Sequence, residues 1–196
     1  VEVVQAVLPV AALADGGVYV DNAGSVSATS LYDRAFGIVG FTNGLGDIEI
    51  YSSGSVTSTA YSRSNGIIAG ASGDGNASVT NSGSVTATSY GYGDSWVDAI
   101  GIYGWTDGSG DVYLNNTSTG SVAAIAYGGN AIGILAYATN YGDPGNAGNA
   151  SVNNDGSVTA YGYESAVGIY AYADAGTATV TTGVDSVTSA TSDYYA

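Results

Sequence analysis

The chain has no Cys, His, Met or Lys, only two Pro, and two basic residues, Arg34 and Arg63, in 196 residues. Without Cys there is neither a disulfide framework nor a thiolate metal site. Without His or Lys the commonest proton shuttles and amine nucleophiles are missing, and no close carboxylate pair sits at strand spacing, so no catalytic constellation is expected. Asp94 and Asp98 share one insertion but lack a second acidic partner. Seventeen acidic residues give a formal charge of −15, which repels phosphate backbones and anionic bilayers and argues against nucleic-acid binding. Residues 1–14 are apolar but lack a basic leader region and are too short to span a membrane, so no membrane insertion is expected. Leu and Phe are scarce, so a thick core could not be filled.

What is abundant is Gly (31 residues), Tyr (17 residues), Ser, Thr, Ala and Val, a composition poor in helix formers and rich in strand and turn residues. It is organised as a repeat of about 30 residues. Gly24-Ser25-Val26-Ser27-Ala28-Thr29 returns as Gly54-Ser55-Val56, Gly83-Ser84-Val85, Gly120-Ser121-Val122 and Gly156-Ser157-Val158, and as Ser186-Val187 without its glycine. A period of this size means a stacked architecture.

Each copy divides into three short alternating segments separated by Gly, Asn, Asp and Ser, the pattern of strands joined by turns. Strand a runs from Val18-Tyr19-Val20 through Ile48-Glu49-Ile50 to Ala178-Thr179-Val180, outer members inward, and is followed by the corner residues Asn22, Ser52, Asn81, Asn116, Asn154 and Thr182. Stacked amides and hydroxyls at such corners bond along the stack. Strand b places Val26, Val56, Val85, Val122, Val158 and Val187 inward, each followed two residues on by Ala or Ser. Strand c carries an inward column of Ile38, Ile67, Ile102, Ile134 and Ile169.

The predicted fold is all-β: a right-handed parallel β-helix, a β-solenoid with three short strands per coil and about five to six coils. A β-sandwich is the competing fold, disfavoured because like residues recur in like places. Gly75-Asn76-Ala77-Ser78-Val79-Thr80-Asn81-Ser82-Gly83-Ser84-Val85-Thr86-Ala87-Thr88, followed by Ala99-Ile100-Gly101-Ile102, resembles the β-solenoid repeats of bacterial autotransporter passengers and large surface adhesins. The resemblance implies an exported, cell-surface or extracellular protein. Val rather than Met at position 1 is read as processing after export, the alternative being the limit of a fragment.

The chain is read as one domain spanning 1–196, with five full coils over 18–177, an incomplete coil over 178–196, and an N-terminal strand within 1–17. Aligning Ala6–Ala11 with Ala166–Ala171 makes that strand a c strand without its own a and b, and puts Pro9 in an inward column. The last coil has a and b without c. Each end supplies what the other lacks, and complementary open ends join head to tail into a fibre. The interface residues expected are Val3, Val7, Leu8, Val10, Leu13, Val180, Val187, Tyr194 and Tyr195. The alternative is that residues 1–14 cap their own solenoid.

Outward on strand c stand Val39, Ile68, Tyr103, Leu135 and Tyr170 in one column, and Phe41, Trp105, Tyr137 and Tyr172 in the next, an apolar face suited to lateral contact or to sugar rings. Outward Thr on strand b, such as Thr57 and Thr86, resembles the flat face of ice-binding β-solenoids, interrupted at Ala123, Ile125 and Tyr161. Asp47, Asp74, Asp107, Asp111 and Asp143 lie in Gly-rich turns and are weak calcium candidates, because their spacing does not match a calcium β-roll. Asn76, Asn115, Asn116 and Asn149 each open an Asn-x-Ser/Thr acceptor for glycosylation. The expected function is that of a structural subunit of an extracellular filament, partnered by itself and without a cofactor. A monomeric adhesin or stalk fragment binding glycans is the alternative, and an ice-binding solenoid the minor one.

Overall fold

In the computed structural model, residues 8–12, 16–91 and 98–193 are described. They form a parallel β-solenoid with three strands per coil. Sheet a contains β2 (Val18–Asn22), β5 (Ile48–Ser52), β8 (Ala77–Asn81), β11 (Val112–Asn116), β14 (Ala150–Asn154) and β17 (Ala178–Thr182). Sheet b contains β3 (Ser25–Thr29), β6 (Ser55–Ala60), β9 (Ser84–Ser89), β12 (Ser121–Ala126), β15 (Ser157–Gly162) and β18 (Val187–Ser192). Sheet c contains β1 (Leu8–Ala12), β4 (Ala35–Thr42), β7 (Ser64–Ala71), β10 (Ala99–Asp107), β13 (Asn130–Thr139) and β16 (Ser165–Ala173). Only a short 3-10 turn, Pro144–Asn146, breaks the β pattern among the described residues.

Register follows residue chemistry. Val26, Val56, Val85, Val122 and Val158 are mutually opposite and buried, as are Ile38, Ile67, Ile102 and Ile134. Each coil therefore places the same apolar atoms above those of the last, at a rise of about 4.8 Å. The interior is narrow because one column has no side chain: a Cβ on Gly66 would strike Val85 Cγ1 and lie 2.6 Å from the Gly101 carbonyl oxygen. Gly37, Gly101 and Gly133 are in the same position against Val56, Val122 and Val158. Small inward residues on strand b, Ala28, Ser58, Ala87, Ala124 and Ala160, complete the close approach of the walls.

The corner residues form the expected ladder in two runs. Asn22 Nδ2 donates to Ser52 Oγ at 3.2 Å. Asn81 Nδ2 donates to Asn116 Oδ1, and Asn116 Nδ2 to Asn154 Oδ1, each at 2.8 Å. Between the runs Asn81 Oδ1 is buried without a partner.

Two sequence expectations shift by one residue. Val187 lies opposite Ser157, and it is Thr188 that falls opposite Val158; a Cβ on Gly168 would strike Thr188 Cγ2, the contact that Gly133 would make with Val158. Thr188 and Ala190, expected outward, therefore take the inward register and Val187 the outward one. The cause is the turn before β18, which has the five-residue step from corner to strand seen in coil four rather than the three-residue step of coil five. At the other end Leu8, not Pro9, falls opposite Ile38, and Pro9 falls opposite Val39. A proline there sits on an edge strand, where a missing donor is tolerated.

Candidate assembly interface

Each strand of sheet c lies level with the a and b strands that follow it: a Cβ on Gly37 of β4 would strike Val56 of β6, and one on Gly168 of β16 would strike Thr188 of β18. The first rung is therefore β1, β2 and β3, and the last is β16, β17 and β18. Among the described residues, every one of these terminal strands is paired on one edge only.

The last rung is open to solvent along the stack. Val152, in coil five, is 0 % exposed, whereas Val180, its register partner in β17, is 47 % exposed. All of β17 is exposed, and so are Thr188 and Ala190 of β18, while Ile169 and Ala171 of β16 are half-buried. Of the interface residues expected from sequence, Leu8 and Val10 lie on β1 opposite Ile38 and Gly40 of the same chain. Val180 presents an inward apolar side chain at the open rung, and Val187, 59 % exposed, stands on the outer face beside it. Val3, Val7, Leu13, Tyr194 and Tyr195 lie outside the described residues.

The outer face of sheet c is less bare than its sequence suggests. Leu135 is 1 % exposed and packs with Ile100, Ile132 and Tyr103, so it offers no contact surface. Val39, Ile68, Phe41, Trp105, Tyr137 and Tyr172 are half-buried because they cover one another. Trp105 lies across Gly70, whose Cβ would sit 2.5 Å from the indole, and its ring reaches Phe41 with centroids 5.9 Å apart. Tyr137 and Tyr172 stack at 4.8 Å. Toward the open end Ile132, Tyr137, Val167, Tyr170 and Tyr172 line a groove of about 410 Å3. Burial pushes the Tyr103 hydroxyl up to about 12, an effect the nearby Arg63 guanidinium opposes, and burial likewise lowers Arg63.

The carboxylates of Asp47, Asp74, Asp107 and Asp111 accept hydrogen bonds from the next coil. Asp47 Oδ1 accepts from the Asn76 amide N–H and Nδ2, Asn76 Oδ1 from the Asp111 amide, Asp111 Oδ1 from the Asn149 amide and Nδ2, and Asn149 Oδ1 from the Thr177 amide, all at 2.7–2.9 Å. This exposed Asp/Asn ladder goes beyond the expected corner ladder; its signal in the sequence is an Asp or Asn directly after Gly46, Gly75, Gly110 and Gly148. Asp74 accepts from the Ser109 amide and hydroxyl, which lowers its pKa, and Asp107 accepts from the Tyr141 amide. Asp143 lies before the 3-10 turn, away from this ladder. Among the described residues no three acidic groups converge to hold a metal ion.

The glycosylation candidates separate by burial. Asn116 is fully buried in the corner ladder, so its amide is closed to modification in the folded chain. Asn115 is half-buried and accepts from Asn153, whereas Asn76 and Asn149 are exposed ladder members. On sheet b, Thr57 and Thr159 are exposed in a hydroxyl face interrupted by Ala123, Ile125 and Tyr161. A second aromatic row, Tyr90 stacked on Tyr127 at 5.4 Å and Tyr127 tilted against Tyr161 at 6.0 Å, runs along the edge between strands b and c. Its signal in the sequence is a Tyr directly after Ser89 and after Ala126, the last residues of paired b strands.

No protein-family model, curated protein or solved structure matches this chain.

Proposed function

We propose that this protein is a structural subunit of an extracellular filament that assembles end to end by strand complementation. The open last rung carries the reading: its inward residues Val180, Thr188 and Ala190 are exposed, and the terminal strands of all three sheets are paired on one edge only among the described residues. Unpaired strand edges are templates for further pairing, and a head-to-tail contact between unlike ends does not close on itself. A β-solenoid with a narrow Val/Ile/Ala core and hydrogen-bonded ladders along its corners transmits load along its axis, which suits a mechanical role. The acidic, thiol-free surface is compatible with the cell exterior. Negative-stain electron microscopy of the purified protein at neutral pH tests the proposal. Long unbranched fibres support it; a monodisperse population of short rods at all concentrations refutes it.

A second reading is attachment to a surface or glycan through the groove beside Tyr137, Tyr170 and Tyr172, where stacked rings line one wall. Aromatic faces of this kind hold sugar rings. Loss of attachment in Tyr170→Ala with assembly intact would favour it, and an empty glycan array would oppose it.

A further inference from the structure

We infer that the occupant of the open end is a second copy of this chain held in one register. In it, β16 pairs with the next copy's β1, β17 with its β2, and β18 with its β3. The inference rests on the end-to-end reading above and adds the register to it. In that arrangement β1, β2 and β3 of the next copy form the rung that follows β16, β17 and β18, and six rungs give an axial repeat of about 29 Å at 4.8 Å per rung.

The register follows from steps already present inside the chain. Sheet c advances from Leu8 to Ile38, Ile67, Ile102, Ile134 and Ile169, always in the same column. The same step sets Leu8 of the next copy opposite Ile169 and its Val10 opposite Ala171. In sheet a it sets Val18 opposite Ala178 and Val20 opposite Val180; in sheet b it sets Val26 opposite Thr188 and Ala28 opposite Ala190. Val against Thr188 is the pairing that β15 already makes through Val158. None of these junction pairs brings two carboxylates together. Displacement by one residue would move Val26 opposite Val187 or Ser189 and turn it to the outer face, so parity excludes it.

Two further features point to this occupant. In the turn ladder each Oδ1 accepts from the backbone amide one coil on, as far as Thr177; the Thr177 hydroxyl then stands in the ladder column, and the next amide in that column is Gly17 of the second copy. The groove on the outer face of sheet c borders the unpaired edge of β16, where Val167 is 36 % and Tyr170 42 % exposed. An incoming β1 runs along that edge.

Because the chain has no native cysteine, disulfide trapping reads the register directly. Tyr19 and Thr179 are both exposed and lie at opposite ends of the same sheet, about 24 Å apart along the stack, so a bond between them within one copy is out of reach. The double variant Tyr19→Cys/Thr179→Cys, oxidised under assembling conditions, should give dimers, trimers and higher multimers on non-reducing denaturing gels. The pair Tyr19→Cys/Thr181→Cys, displaced by two residues along the strand, should stay largely monomeric on the same gels. Circular dichroism establishes that both variants are folded. Fibres in which both pairs cross-link equally, or neither does, overturn the register and leave end-to-end assembly standing. Folded protein that forms neither fibres nor disulfide multimers overturns assembly and register together.

Discussion

Placing a charge at Val180 tests the open rung at its centre. In the isolated chain Val180 is about half exposed although its column is otherwise sealed. Docking a second copy would bury what remains of the side chain, worth roughly 1 kcal/mol, between Val152 below and the incoming Val20 above. Val180→Asp loses that gain and sets a carboxylate in an apolar column, so about 3 kcal/mol or more per junction is expected. At about 1.4 kcal/mol per decade, the critical concentration for polymerisation rises by roughly 100-fold at pH 7. The cost falls on the ionised form, so burial raises the carboxyl pKa in the polymer. Assembly is then penalised above the free carboxylate pKa of about 4 and recovers as pH falls below it. Thr179→Asp, one residue away on the outer surface, should shift the critical concentration little, since exposed substitutions change free energies by about 0.5 kcal/mol or less. Pelleting over a concentration series measures the effect, and thermal melting of unassembled protein should be nearly the same for both variants. Equal critical concentrations for Val180→Asp and Thr179→Asp would refute stacking through the open rung.

Three further outcomes are expected. Asn116→Ala removes the middle of the buried amide ladder and leaves Asn154 Oδ1 without its donor. A loss of about 3 kcal/mol is expected in denaturant unfolding, and a change under about 1 kcal/mol would mean the ladder adds no stability. Gly101→Ala forces a Cβ against Val122 Cγ1 and to 2.6 Å from the Gly133 carbonyl oxygen, so about 2 kcal/mol or more is lost. Gly145→Ala, whose Cβ would have only Asp143 Oδ1 within reach at 3.7 Å, should melt like the parent. Tyr103 should form its phenolate near pH 12, against 10.0 for an unperturbed group. The unfolded chain gives up that proton first, so this contribution to stability is whole below pH 10 and declines between pH 10 and 12. In an ultraviolet titration the Tyr103→Phe variant should lack that late component; an identical titration curve for the two proteins contradicts the assignment.

Much of the fold is legible because a solenoid repeats one local problem. Val at one place in each copy, Ile at another and Asn at the corner identify three strands and their inward sides without tertiary information. Parity was harder. Ser186-Val187 matches the motif by identity, but the longer preceding turn makes Thr188 the inward residue, because a strand's facing is set by where its turn releases it. The same limit applied at Leu8 and Pro9. Leu135 faces outward by alternation yet is buried under Ile100, Ile132 and Tyr103, because alternation says which side a residue faces, not what lies over it. The members of the Asp/Asn turn ladder each directly precede a strand a, and Tyr90 and Tyr127 each directly follow a strand b, so their columns are legible in the repeat; that the groups bond or stack along those columns is set by the stacking of whole coils.

The sequence by itself determined the period, the three strands of each coil, the thin core and the chemistry that composition rules out. These depend on side-chain volume, charge and alternation, which are local properties. Only the tertiary structure decided that each c strand lies level with the a and b strands after it, that Val180 stands half exposed at the last rung, and that backbone amides take the carboxylates of Asp47 and Asp111. Those features arise where residues about 30 positions apart come within hydrogen-bonding distance, and that distance is fixed by the stacking of whole coils.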